Sequence, residues 1–257
     1  MSDHSNDINT LSRFCAVRDV EALTGEALRR RFGFSKADLL VLFGGCVLAG
    51  ADVLAGAVKE QVARRYMIVG GEGHTTQKLR EKARALMPDL VTDSMPEAEI
   101  FDAFLRHRYG LQADLLEKRS TNCGNNITNM LEILDEKHIT CSSIILVQDG
   151  AMQRRMAAGL EKYRPDLTAI SYAAYQPEVE QRGYELVFRE DILGMWDMDR
   201  FISLLMGEIP RLTDDRMGYG PAGRGFIAHV DVPEPVREAF LRLSKRYGIR
   251  QPDPAYA

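Results

Sequence analysis

The chain has 257 residues, of which 45% are hydrophobic and 27% are charged, and its formal net charge is −4. This composition is typical of a globular protein and excludes a disordered chain or a disulfide-stapled mini-domain. Proteins that bind duplex nucleic acid are usually basic, so the mildly acidic balance does not favour such a partner. We therefore expect a small-molecule ligand and no nucleic acid.

The cysteine pattern and the N-terminal segment indicate a reduced, cytoplasmic setting. None of the four cysteines forms a Cys-x-x-Cys pair or a Cys/His cluster with zinc spacing, so no metal site is predicted. The first residues are polar and lack the apolar centre of a signal peptide. No apolar run approaches the ~18 residues that span a bilayer, so we expect no membrane span.

The predicted elements alternate between short apolar strands and longer amphipathic helices. Residues 1–35 are predicted to form a polar leader followed by one helix at 17–31. In chain order there follow a strand at 37–43, a helix at 52–66, a strand at 66–69, helices at 75–86 and 96–109, a strand at 115–118, a helix at 122–137, a strand at 143–147, a helix at 151–163, a strand at 167–172, and helices at 196–206 and 235–247.

Strands separated by helices predict a mainly parallel sheet with right-handed crossovers and helices on both faces. The fold class is therefore α/β, doubly wound and Rossmann-like, with about five strands. We place this ligand-binding domain at 1–182. Residues 183–257 change character and predict a smaller C-terminal helical annex over the cleft.

Polar and glycine residues gather where four of the predicted strands end. In open parallel sheets, ligands bind beyond the carboxyl ends of the strands, where loops lead into helices. Because four such loops coincide at one edge, we predict a cleft there for a nucleotide-like ligand. The loops are FGGC (43–46), GGEGHT (70–75), STNCGNN (120–126) and QDGAMQRR (148–155).

The first two loops carry the candidate glycines Gly44, Gly45, Gly70, Gly71 and Gly73. Glycine lets backbone N–H groups approach a ligand, and the helix N-termini that follow favour anions. The alternative is that each glycine pair only turns the chain from strand to helix. Neither loop matches a dinucleotide fingerprint or a phosphate-binding P-loop, which weakens both the NAD and the P-loop interpretations.

The third loop is rich in side chains that both donate and accept hydrogen bonds, and it includes Ser120 and Thr121. Either Thr121 or Asn122 suits the N-cap of the next helix. A cap does not need three amides, however. We therefore predict that Asn122, Asn125 and Asn126 read a polar edge of the ligand.

The fourth loop contains Gln148 and Asp149 and leads to two arginines. Asp149 follows a buried strand, where a functional carboxylate is common, although a capping role is equally open. Arg154 and Arg155 are adjacent in a helix and point about a hundred degrees apart. One is expected to face the cleft and pair with an anion, and the other to lie on the solvated surface.

Glu97, Asp149 and His74 are the candidate catalytic residues. Glu97 opens a predicted helix, where the helix dipole alone explains an acid. His74 follows the second glycine loop and is suited to act as an acid, a base or a donor. Trp196 lies in an apolar stripe and is predicted to be a core residue.

At these loops the chain resembles the bacterial YdcF family, which belongs to the group called domain of unknown function 218. The motifs are STNCGNN (120–126), VQDGAMQRR (147–155), VGGEGH (69–74) and PEAE (96–99). The resemblance continues through LLMGEIPRLTDD (204–215) and GYGPAGRGFIAHVDVP (218–233), so it covers nearly the whole chain.

The resemblance implies binding of S-adenosylmethionine in a nucleotide-type α/β fold, without an established catalytic activity. The family usually has a glutamate where this chain has Asn125. Glu97 or Asp149 would then supply the negative charge to the ligand. By position, the motifs of the family's cleft fall on Gly44, Gly45, Gly70, Gly71, His74, Glu97, 120–126, Gln148, Asp149 and Arg154.

The sequence is compatible with three functions. The first is an S-adenosylmethionine-binding protein, with methyl transfer to an unknown acceptor as its reaction. The second is a hydrolase or transferase of a phosphate-containing metabolite, in which Arg154 and Asp149 act with or without a divalent ion. The third is a non-catalytic sensor whose affinity for a partner changes when the ligand binds.

Overall fold

The structure is a computed structural model that describes residues 4–250. In this range no helix combines the length and the apolarity needed to cross a membrane. The strands are β1 (Leu39–Phe43), β2 (Tyr66–Val69), β3 (Leu115–Glu117), β4 (Ser143–Val147), β5 (Thr168–Ser171), β6 (Val179–Arg182) and β7 (Glu185–Phe188). The helices are α1 (Ser5–Cys15), α2 (Gly25–Phe32), α3 (Ala49–Lys59), α4 (Thr76–Leu86), α5 (Glu97–Tyr109), α6 (Cys123–Glu136), α7 (Gln153–Tyr163), α8 (Met198–Leu212) and α9 (Glu234–Tyr247).

Five strands form one parallel sheet in the order β3-β2-β1-β4-β5. Alternate side chains of β1 enter opposite cores, since successive residues of a strand point to opposite faces. Leu40 and Leu42 pack on the side of α3 and α5, whereas Val41 and Phe43 pack on the side of α6 and α7. The predicted doubly wound α/β fold is thus confirmed.

The strand order also fixes where a ligand can bind. From β1 the chain moves outward to β2 and β3, and it then returns to the other side of β1 for β4 and β5. The crossovers next to β1 and β4 therefore diverge, which opens a crevice at the carboxyl ends of these two strands.

The prediction for the N-terminal segment is wrong. Residues expected to be a polar leader form α1, and the helix expected at 17–31 begins only at Gly25. Ile8, Leu11 and Phe14 form the buried stripe of α1, at a helical spacing that the many polar neighbours conceal. The helix packs against α8, α9 and β6, so it joins the start of the chain to the annex.

The helix predicted at 52–66 ends earlier, at Lys59. Gln61 adopts a positive φ of 51°, which a helix cannot continue through. Val62 and Ala63, which extended the apolar pattern, are buried in the connection to β2. Ala63 forms a parallel bridge with Ala37 beside the sheet.

An antiparallel hairpin of β6 and β7, which was not predicted, spans the predicted boundary between the ligand-binding domain and the annex. Gly183 makes its turn with a φ of 63°. Four of its eight strand residues are polar and all but Val179 are at least partly exposed, so the strands lack a clear apolar alternation. Helix α8 runs to Leu212, beyond the predicted end at 206, even though it includes Pro210.

If α1 is part of the core, Leu11→Ala will destabilise the protein by about 2–5 kcal/mol, because the side chain is fully buried. Urea unfolding followed by circular dichroism measures the change. Asn6→Ala is the matched control on the exposed face of α1 and should change the free energy of unfolding by about 0.5 kcal/mol or less. Equal stability of both variants would show that the segment is a dispensable leader.

Candidate ligand-binding site

A cleft of about 360 Å³ opens beyond the carboxyl ends of the parallel strands. Its wall takes residues from the loops after β1, β2, β3 and β4, from α7 and α8, and from the glycine-rich loop before α9. The volume lies within the range of small-molecule sites. The cleft is therefore where the topology of the sheet predicts a ligand.

The structure divides the predicted site residues into two groups. Those in the wall of the cleft are Gly45, His74, Thr121, Asn122 and Asp149. Those outside the wall are Gly44, Gly70, Gly71, Gly73, Glu97, Ser120, Asn125, Asn126, Gln148 and Arg154. All four predicted loops lie at the same edge of the sheet, but many of their residues do not line the cleft.

Gly44, Gly70 and Gly71 lie against the start of α5. The backbone N–H of Glu97 donates to the carbonyl of Gly71 at 2.9 Å, and that of Ala98 donates to Gly70 at 2.8 Å. A Cβ on Gly70 would lie only 3.0 Å from the Cβ of Glu97. The packing of the helix end therefore explains Gly44 and Gly70, whereas a Cβ on Gly71 would meet the backbone of Ser120 in the third loop.

Glu97 lies beneath the glycine loops and is 8% exposed. Its Oε1 accepts a hydrogen bond of 2.8 Å from the Thr76 hydroxyl at the start of α4. Burial raises the pKa of Glu97 to about 7, although the Thr76 hydrogen bond and the positive charge of Arg80 favour the ionised form. Glu97 thus connects α4 and α5 to the loops that carry the cleft.

The amide-rich loop forms a capping box at the start of α6. Asn122 Oδ1 accepts the backbone N–H of Asn125 at 3.0 Å, which confirms the predicted cap. Asn125 Oδ1 accepts the N–H groups of Thr121 at 2.8 Å and of Asn122 at 2.9 Å. Asn125 therefore holds the loop, while Thr121 and Asn122 face the cleft.

Ser120 joins the second loop to the third. Its hydroxyl accepts the N–H of Gly71 at 3.1 Å, and its carbonyl accepts the N–H of Glu72 at 3.0 Å. Its own N–H donates to buried Glu117 at 3.0 Å. The role of Ser120 is to fix the spacing of two loops that line the cleft.

Asp149 and Trp196 are neighbours in the wall of the cleft. Asp149 is 6% exposed, and its two oxygens accept the N–H of Ala151 at 2.9 Å and the indole N–H of Trp196 at 3.1 Å. Burial raises the pKa of Asp149 above its usual range. Trp196 is buried, as predicted, but it also lines the cleft. The Lys82 ammonium lies 4.9 Å from the centroid of the Trp196 ring. It also donates to the carbonyls of Cys46 and Gly194, and so links the loop after β1 to the segment that carries Trp196.

The two adjacent arginines have different positions, and neither is a solvated surface residue. Arg155 lines the cleft and donates to Glu208 through Nε at 2.6 Å and Nη2 at 3.0 Å. Arg154 turns away, with its guanidinium carbon 4.2 Å from the ring centroid of Phe14 and its Nε donating to the Phe14 carbonyl. The placement of Arg154 in the cleft is therefore corrected to Arg155.

Sequence reasoning missed most of the wall that the annex supplies. Glu208 and Arg211 project from α8, and Tyr219 and Phe226 come from the glycine-rich loop. One signal was available, because Glu208 lies inside the apolar stripe of α8, where an unpaired acid is rarely buried. The other apolar or aromatic wall residues are Ile127, Met152, Met156, Tyr163, Leu204 and Ile227.

No family model matches the sequence. The resemblance to the YdcF family therefore remains a prediction, and the function has to be inferred from the cleft itself. Over residues 4–250, no group of three or more His, Cys, Asp and Glu side chains is placed to hold a metal ion.

The raised pKa of Glu97 predicts a pH-dependent stability. The folded protein keeps this proton above the pH at which the unfolded chain releases it, so stability falls as the pH rises from about 4.5 to about 7. Above pH 7 the buried charge of Glu97 lowers the free energy of unfolding by about 3 kcal/mol at most, and Glu97→Gln removes this cost. The variant should therefore gain stability over the wild type at pH 8 by more than at pH 5.

Urea unfolding of the wild type and the variant at both pH values tests this expectation. Glu99→Gln removes the same charge from the same helical turn at a half-buried position and is the matched control. The interpretation is wrong if the difference between wild type and Glu97→Gln stays constant with pH.

Proposed function

We propose that the cleft binds a nucleoside-type small molecule, with S-adenosylmethionine as the first candidate, as the resemblance to the YdcF family implies. One observation carries the proposal. At the switch point of the sheet, a cleft of about 360 Å³ combines aromatic and apolar walls with one side-chain amide, two buried acids and three arginines. A ligand with a flat base, a polar sugar and charged ends fits such a mixture of groups.

Each part of S-adenosylmethionine has a chemically suitable partner in the wall. Trp196, Tyr219 and Phe226 offer surfaces for the adenine ring, and Asn122 offers both a donor and an acceptor. Asp149 would attract the positive sulfonium or ammonium group. This role falls to Asp149 because Asn125 carries no charge and Glu97 lies outside the wall.

Methyl transfer to a second substrate is the reaction that this ligand would allow. An acceptor would have to lie next to the sulfonium and lose a proton during the transfer. Asp149 and His74 are the carboxylate and the imidazole that the loops after the strands bring into the wall, so they are our candidates for receiving that proton.

A phosphate-containing metabolite is the second candidate. The observation that favours it is the presence of Arg155, Arg211 and Arg250 in the wall, because guanidinium groups bind phosphate oxygens well. Arg155 takes the role that the sequence assigned to Arg154. In this case Asp149 would act on the phosphoester, with or without a divalent ion.

Calorimetric titration with S-adenosylmethionine, S-adenosylhomocysteine, ATP and NAD, each with and without magnesium, separates the candidates. We expect saturable binding of the first two compounds without a need for magnesium. Binding of ATP alone, especially with magnesium, would contradict the first candidate and support the second.

Asp149→Asn should weaken the binding of S-adenosylmethionine by about tenfold or more, because the variant keeps the shape of the side chain but loses its charge and one of its two acceptor oxygens. Glu97→Gln is the matched control and should bind like the wild type, since Glu97 lies outside the wall. Calorimetry on both folded variants measures the two affinities. The reverse result would assign the ligand's cationic group to Glu97.

A further inference from the structure

Several arginines surround Glu208 in the wall of the cleft. Arg155, Arg211 and Arg250 line the wall there, together with the single carboxylate of Glu208. Arg200 lies close by, with its guanidinium carbon 5.5 Å from the Trp196 ring centroid. Its Nε is buried and has no hydrogen-bond partner in the part of the chain that the structure describes.

Glu208 carries one negative charge and forms ion pairs with two of these arginines, a close one with Arg155 and a long one with Arg211. Both of its oxygens bind Arg155, at 2.6 and 3.0 Å, and its side chain is only 4% exposed. Arg211 lies farther away, with Nη1 3.9 Å from Glu208 Oε1. The three guanidinium groups in the wall outnumber this carboxylate, which leaves an excess of positive charge around Glu208.

Arg211 and Arg250 lie close together beside Gly207, and Glu208, which Arg155 already binds, is the nearest carboxylate to both. Arg211 donates to the carbonyl of Gly207 and to the Tyr219 hydroxyl, both of which are uncharged. Arg250 packs its Cβ against Gly207 and has no ion pair within residues 4–250. Burial lowers the pKa of Arg250, and the positive charges of Arg200 and Arg211 lower it further.

Crowding like charges in a partly buried site is unfavourable unless a counter-charge binds there. The fork of a guanidinium matches two oxygens of one anionic group, so several arginines around a cavity suit a phosphate or a carboxylate.

We propose that Arg211 and Arg250, supported by the Arg155–Glu208 pair, form a subsite for an anionic oxygen group of the ligand, either a phosphate or a carboxylate. The proposal deepens the proposed function, on which it rests for the rest of the ligand.

Inorganic pyrophosphate tests the subsite without any nucleoside. Trp196 is the single tryptophan of the chain and lines the cleft, so its fluorescence reports occupancy. We expect pyrophosphate to bind the wild type and to bind Arg250→Gln about tenfold more weakly or worse. Arg246→Gln makes the same charge change on an exposed part of α9 and should bind like the wild type. Failure of pyrophosphate to bind, or equal binding by all three proteins, overturns the subsite.

Two pairs of nucleosides then identify the source of the anion. A preference for AMP over adenosine that Arg250→Gln removes assigns a phosphate to the subsite. A preference for S-adenosylmethionine over its decarboxylated form that Arg250→Gln removes assigns a carboxylate. If the nucleosides bind without either preference, the subsite is wrong and the proposed function stands. If pyrophosphate binds as expected and no nucleoside binds, the subsite stands and the proposed function fails.

Discussion

The buried ion pair between Arg155 and Glu208 is the interaction on which the cleft depends. Arg155 belongs to α7, which packs on the parallel sheet, and Glu208 belongs to α8 of the annex. Removing two charges from water is costly, so such a pair adds little stability but strongly disfavours any arrangement that separates the partners. It therefore fixes the annex at a set distance from the strand ends, and the space between them is the cleft.

This arrangement gives the two ends of the cleft different chemistry. The sheet contributes loops that are held rigidly by their own hydrogen bonds, such as the capping box of Asn122 and Asn125. The annex contributes aromatic rings and guanidinium groups, including Arg211 and Tyr219. A ligand that bridges the two parts would add favourable contacts to the same interface that the ion pair holds, so binding should stabilise the annex against the sheet.

The sheet and the position of the cleft could be predicted from the sequence because they depend on local patterns. Fully apolar runs such as Ser143–Val147 have few alternatives to a buried strand, and the glycine and polar residues after each strand mark one edge. The roles of most loop residues could not be predicted, although the cap by Asn122 could. A glycine after a strand is compatible both with ligand binding and with the close approach of a helix. At Gly70 the packing of Glu97 against the glycine shows the second role.

The exchange of Arg154 and Arg155 shows how one missed element changes a predicted site. Adjacent helical residues point about a hundred degrees apart, so the sequence alone could not say which arginine faces the ligand. Phe14 decides the question, because its ring and carbonyl take up Arg154 and leave Arg155 toward the cleft. Phe14 belongs to α1, the segment predicted to be a leader. With α1 in place, Arg154 packs on Phe14 and Arg155 is left to pair with Glu208, the acid inside the apolar stripe of α8. The position of the cleft arginine therefore depends on a helix that is distant in the sequence.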